Sequence, residues 1–234
     1  MRFVTFVAVL FVAAPAYGQD NDAERLYRAM EKKVRSAKTL HFAFDGQITM
    51  MGMQGTMKGE AWSAEGQKFN ISLEGEFAGD KMKLTHISDG KSTYSKMNEK
   101  VDVTAHKPEE QHTEQVLGMV ARVGMTVGFM TSRKRTPDDK EPFDLDKMAA
   151  IKDFKLGAKE KIGTHNTQAV DYQVTLPGNT TAKATVWIDT ETKLPVKREL
   201  GLEKNGAEEG RISETYSTFA VDGKIDAKMF EVPK

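Results

Sequence analysis

The 234-residue chain contains no cysteine, which excludes disulfide cross-links, cysteine-based zinc or iron–sulfur sites and a thiol nucleophile. It also lacks net charge, with Lys plus Arg at 34 and Asp plus Glu at 34, so the cation excess that displaces counterions from phosphates is missing and no nucleic-acid partner is expected. The chain has no Gly-x-Ser-x-Gly elbow and no His-Glu-x-x-His pair. Gly52, Gly55 and Gly59 follow no phosphate-loop spacing. The five histidines, His41, His86, His106, His112 and His165, show no metal-ligand spacing, so neither metal nor cofactor nor enzyme activity is expected. Beyond the N-terminus, no run is long and apolar enough to cross a bilayer. What remains is 39% apolar residues in a chain long enough to bury a sizeable core.

Residues 1–18 read as an export signal. Met1 and Arg2 precede a nearly unbroken apolar run from Phe3 to Ala14, about twelve residues where a spanning helix needs roughly 20. Ala16-Tyr17-Gly18 places small residues two apart, as a signal peptidase requires, which makes Gln19 the expected new N-terminus.

Residues 20–37 then repeat apolar side chains at helical spacing: Ala23, Leu26, Met30, Val34 and Ala37, with Asp20, Asn21 or Asp22 available as cap. After Thr39 the period becomes two. Leu40, Phe42, Phe44, Ile48 and Met50 alternate with polar or small residues, as do Phe69, Ile71, Leu73 and Phe77, then Met82 and Leu84. Later Val170, Tyr172, Val174 and Leu176, and then Ala182, Ala184, Val186 and Ile188, do the same. Asn205-Gly206 is a strong two-residue hairpin signal; Asp89-Gly90, Gly79-Asp80, Glu65-Gly66 and Gly178-Asn179 mark other turns. Antiparallel strands joined by short turns form a meander, hence a strongly curved sheet. Residues 108–151 interrupt it with helix. Val116, Met119, Val120 and Val123 keep helical spacing while Gly118, Gly124 and Gly128 predict two short helices or a bent one, and Asp144 to Ile151 reads as a further short helix.

In order along the chain, Gly59-Glu60-Ala61-Trp62, Ile87 to Lys96 (ISDGKSTYSK), Trp187 to Leu200 (WIDTETKLPVKREL) and Ile225 to Pro233 (IDAKMFEVP) resemble segments of the periplasmic outer-membrane lipoprotein carrier superfamily, the LolA-like proteins. The segment Ser63 to Phe69 lacks the Arg-Pro pair usual there. The resemblance implies one domain over 19–234, mainly β with helices: an unclosed antiparallel barrel whose N-terminal helix and helical insertion plug the concave side. It also implies a periplasmic, monomeric binder that holds lipid or a lipoprotein's acyl chain in an apolar cavity, with a membrane-bound donor or acceptor protein as partner. The inward set of such a barrel is Phe42, Phe44, Ile48, Phe69, Ile71, Leu73, Met82, Leu84, Tyr172 and Val174, expected to be apolar with few hydrogen-bonding groups. Each acyl methylene buried there gains about 0.8 kcal/mol.

Of 13 methionines, Met50, Met51, Met53 and Met57 cluster on one hairpin, flexible thioethers suited to repacking around variable chains. Arg133-Lys134-Arg135 reads as a solvated loop, and His86 as a cavity-rim residue. Two other functions fit the same scaffold: an envelope sensor that binds a protein, and a hydrolase pairing His86 or His165 with an Asp.

Overall fold

The computed structural model describes residues 19–104, 112–131, 143–178 and 180–233; residues 1–18, His106, Arg133-Lys134-Arg135 and Asn179 lie outside them. The switch of period after Thr39 is the switch from helix to sheet. Helix α1 spans Gln19–Arg35 and buries Ala23, Tyr27, Met30 and Val34 completely, one stripe at spacings of three and four. Its end falls at Arg35 instead of residue 37, and Asp22 lies inside the helix, where it pairs with Arg25, and does not cap it.

The strands are β1 Thr39–Met50, β2 Met53–Ala64, β3 Lys68–Phe77, β4 Asp80–Asp89, β5 Thr93–Met97 and β6 Lys100–Thr104. After the helical insertion follow β7 Ala150–Ile162, β8 His165–Leu176, β9 Thr180–Asp189, β10 Pro195–Lys204 and β11 Ala207–Val221. They form one eleven-stranded sheet in the order β6-β5-β4-β3-β2-β1-β11-β10-β9-β8-β7, and the described ladders are all antiparallel. Two meanders, β1–β6 and β7–β11, are thus zipped along β1 and β11, and the sheet stays open between β6 and β7. This is the unclosed barrel that the motif order implies.

Helices close the concave face. Helix α2 covers His112–Thr131 and packs on α1 and β11, while α1 lies against β7 and β8. A four-residue helix α3, Leu145–Met148, is capped by the Asp144 side chain. It is shorter than the helix expected over Asp144 to Ile151, because the chain enters β7 at Ala150 and spends the β-prone Ile151 on pairing with Val174. The bend expected from the α2 glycines is present. Gly124 takes φ 81°, ψ 178°, and breaks α2 into two segments.

Candidate functional site

Register places all ten expected contact residues on the concave face. Phe42 stands opposite Ala61, which stands opposite Ile71 and then His86; Phe44 leads through Gly59 to Leu73, Leu84 and Met97. A third row runs Gly46, Met57, Gly75, Met82, and a fourth Ile48, Gly55, Phe77. Tyr172 and Val174 face the same way on β8, in the half that α1 covers. Nine of the ten are buried in one core with Tyr27, Met30, Val34, Val120 and Val123, and Met82 is half-buried, so the apolar cavity that the resemblance implies is filled by side chains of the helices in this state. His86 is on the concave side too, its ring centroid 4.8 Å from that of Phe69.

Three glycines shape the first half of this face. A Cβ on Gly59 would collide with Leu73 and with the Phe44 ring, and one on Gly55 would lie 2.7 Å from the Phe77 ring. Large side chains therefore lie flat over bare backbone instead of standing on neighbouring side chains. A Cβ on Gly46 would press to 3.1 Å on the Met57 carbonyl of the neighbouring strand.

The concave face is not purely apolar, contrary to the sequence-based expectation. Arg198 of β10 and Glu214 of β11 are opposite one another in the ladder, point inward, and are fully buried. They hold the two sides of the break in α2. Arg198 donates to the carbonyls of Val120 (2.6 Å) and Ala121 (2.8 Å), which end the first segment. Glu214 accepts from the N–H groups of Met125 (3.2 Å) and Thr126 (2.5 Å), which begin the second. Tyr172 donates to Arg122 O (2.6 Å), Tyr216 to Glu214 (2.6 Å), and Tyr27 to Ala121 O (3.5 Å). A Cβ on Gly124 would collide with the Glu214 carboxylate. On the outer side of α2, buried Arg122 binds Glu31 (2.6 Å), Asp146 (2.6 Å) and Ala149 O (2.8 Å), tying α2 to α1 and α3. Among the described residues, the buried polar atoms Arg198 Nε and Thr126 Oγ1 meet no protein partner.

Burial and then nearby Glu214 push the Tyr216 hydroxyl well above its usual range, and burial does the same to Tyr27. Burial opposes the charge on Arg198, but Tyr172, Tyr216, Tyr27 and Glu214 around it outweigh that and hold it protonated. The sequence contained the signal for this clip: Arg198 interrupts the inward parity of Val196, Leu200 and Leu202, and Glu214 sits between Ile212 and Tyr216. A charge on the dry face of a strand must have a partner.

A groove of about 810 Å³ opens among Asp45, Lys58, Glu74, Glu76, Lys81 and Lys83, and of the ten expected contact residues only Met82 borders it. Lys58 and Lys83 both approach Glu74, at 3.9 and 3.7 Å, so the charges there are mutually engaged.

The histidine–carboxylate pairs are structural in their surroundings. His165 lies 2.7 Å from Asp189, whose other oxygen accepts from the N–H groups of Glu191 and Thr192 in the β9–β10 turn. Burial alone would raise the Asp189 carboxyl, yet the Thr192 and Glu191 N–H groups and His165 overcome it and hold it at about 2. His41 stacks on Trp62 and meets Glu60 at 2.7 Å on the convex face. Among the described residues no hydroxyl is bonded to either histidine, and no three metal-ligating side chains converge. No described helix is long and apolar enough to cross a membrane.

No family model matches the sequence, and neither does any curated protein. Solved structures do match. LprF from Mycobacterium bovis superposes with a TM-score of 0.51 at 11% identity, over 89% of this chain and 97% of that one. A LolA superfamily protein from Nitrosomonas europaea matches at TM-score 0.34 and 10% identity, over 90% of this chain and 97% of its own. MucB in the Pseudomonas aeruginosa MucA/MucB complex matches at TM-score 0.39 and 14% identity, over 91% of this chain but only 61% of that one. The chain shares the fold of LprF, an unclosed antiparallel sheet with helices over its concave face.

Proposed function

We propose that this chain, on its LolA-like fold, is an exported periplasmic binder of lipid or lipoprotein acyl chains, working without catalysis as a single domain over residues 19–234. The observation that carries the reading is the way the concave apolar face is closed. Helices lie over it, and one of them is broken and pinned at the break by side chains of the sheet. A cover made of separate segments can be displaced without breaking a strand ladder. The binding surface is Phe42, Phe44, Ile48, Phe69, Ile71, Leu73, Met82 and Leu84 on β1, β3 and β4, with Tyr172 and Val174 at its far wall. Because that face is filled in the present state, a chain enters by displacing α2 side chains. Each methylene then buried gains about 0.8 kcal/mol, which offsets the packing that the displaced side chains give up.

Native mass spectrometry of the protein purified from the exported fraction tests this, together with displacement of a hydrophobic dye by palmitate. Expected are mass increments of one acyl chain or lipid and saturable displacement; bare protein mass with no dye uptake would remove the proposal.

A second reading, a sensor that binds a membrane protein's peptide, is favoured by the edge strand β6. Its Val101 and Val103 are both 55% exposed on a strand that could accept an added strand. Recovery of a stoichiometric membrane protein from envelope extract, with no lipid bound, would select that reading.

A further inference from the structure

With no cysteine in the chain, its only sulfur is in thioethers. Met50, Met51, Met53, Met57, Met82 and Met97 all belong to the first meander, and their exposure is graded. Met51 is 72% exposed, Met97 46% and Met53 42%; Met50 and Met82 are half-buried, and Met57 is buried. Met30 on α1 and Met119 and Met125 on α2 are buried as well.

Met82 holds a particular place in that series. Of the ten expected contact residues it alone carries sulfur, and it alone borders the groove of about 810 Å³. Its row explains the access. On β3 it stands opposite Gly75, which has no side chain to cover it, and on its other flank the β5 ladder reaches only as far as Leu84. Leu84, the next inward residue of β4, is buried, and so is Leu73 opposite it. The Met82 thioether therefore has water on one side and the apolar contact surface on the other. Met57 also reaches the groove, but only 6% of it is exposed.

We propose that Met82 is a reversible oxidation site whose sulfoxide lowers the protein's affinity for acyl chains, a regulation that rests on the acyl-binding reading above. The reagent is a water-soluble two-electron oxidant, of which hydrogen peroxide is the simplest. A lone pair of the Met82 sulfur attacks one peroxide oxygen and the O–O bond breaks. The departing hydroxide takes the proton of the transferred hydroxyl and leaves as water, and the sulfur has gained one oxygen and lost two electrons. A dithiol reverses the step, supplying two electrons and two protons; the oxygen leaves as water and the dithiol closes to a disulfide. The sulfoxide replaces an apolar side chain with a strong hydrogen-bond acceptor. An acyl chain lying across Leu73 and Leu84 covers that acceptor and offers no donor in return, so binding now carries a desolvation cost. Met51, Met53 and Met97 are outside the contact set, and their oxidation leaves affinity unchanged.

Graded treatment of the exported protein with hydrogen peroxide, read by peptide mass spectrometry and by dye displacement with palmitate, is the test. Met51, Met53 and Met97 should take up oxygen first and Met82 next, while Met30, Met57, Met119 and Met125 stay reduced. Palmitate affinity should fall about tenfold in step with the Met82 sulfoxide and not with the earlier ones. Methionine sulfoxide reductase with dithiothreitol should restore it. Met82→Leu, whatever its starting affinity, should bind palmitate equally before and after treatment. The proposal is overturned if Met82 is oxidised only together with the buried Met30 and Met119, which is the signature of unfolding. It is overturned equally if affinity ignores the Met82 sulfoxide, or if Met82→Leu loses affinity on oxidation as the native protein does. Untreated protein that takes up no palmitate removes the acyl reading and this regulation together, whereas selective Met82 oxidation at constant affinity removes the regulation alone.

Discussion

The two meanders share one sheet but are covered by different means. In the β7–β11 half the helices are fixed by buried polar groups. Arg198 and Glu214 clip the broken α2, Tyr172 holds Arg122 O, and α1 packs its fully buried stripe beside them. In the β1–β6 half there is no comparable set of buried charges among the described residues. Phe44, Leu73 and Phe77 lie over glycines, and Phe42, Ile48, Met57, Phe69, Ile71 and Leu84 fill the remainder. Directional bonds have one geometry, whereas dispersion contacts among thioethers and flat rings are individually small and easily exchanged. The contrast assigns anchorage to one half and exchangeable packing to the other.

The largest expected effect attacks the anchorage. Glu214→Ala strips two buried N–H groups of α2 and the Tyr216 hydroxyl of their charged acceptor, at a cost of about 3–5 kcal/mol in denaturant unfolding. A loss under about 1 kcal/mol, the level of a surface pair, would mean that the clip is ornamental.

A smaller effect is pH-dependent and belongs to the same half. The Asp189 carboxyl lies at about 2 in the folded protein against 3.8 as the ordinary value. Its stabilisation is therefore fully present above pH 4 and is lost as the pH falls through 2. It amounts to about 2 kcal/mol. Asp189→Asn should flatten the acid limb of the stability curve in that window, and an unchanged limb would contradict the assignment.

The smallest effect probes the other half. Gly59→Ala forces Leu73 and Phe44 to shift, costing about 1–2 kcal/mol by overpacking. Its larger consequence should be a reduced capacity for dye and palmitate. A stability loss as large as that of Glu214→Ala, with binding intact, would reverse the comparison.

Much of the fold was legible because its signals are local. The switch from a helical to a two-residue period at Thr39, the Asn205-Gly206 turn and the glycine-weakened α2 are each visible within a few residues. The parity of Phe42, Phe44, Ile71, Leu73 and Leu84 likewise marked one face of a sheet. The clip was not read, although Arg198 and Glu214 break the apolar parity of their strands, because their partners are backbone groups in α2, roughly ninety residues earlier in the case of Glu214. Whether the concave face is open or filled was likewise beyond the pattern, since alternation specifies which side chains face inward and not how far the helices descend upon them.

Photo-crosslinking with a diazirine-bearing palmitate tests the central claim most directly. Labelled peptides are predicted to come from β1, β3 and β4, at or beside Phe44, Leu73, Met82 and Leu84, with labelling competed by unmodified palmitate. Labelling confined to α1 and β7–β9, or none that palmitate competes, would contradict the account.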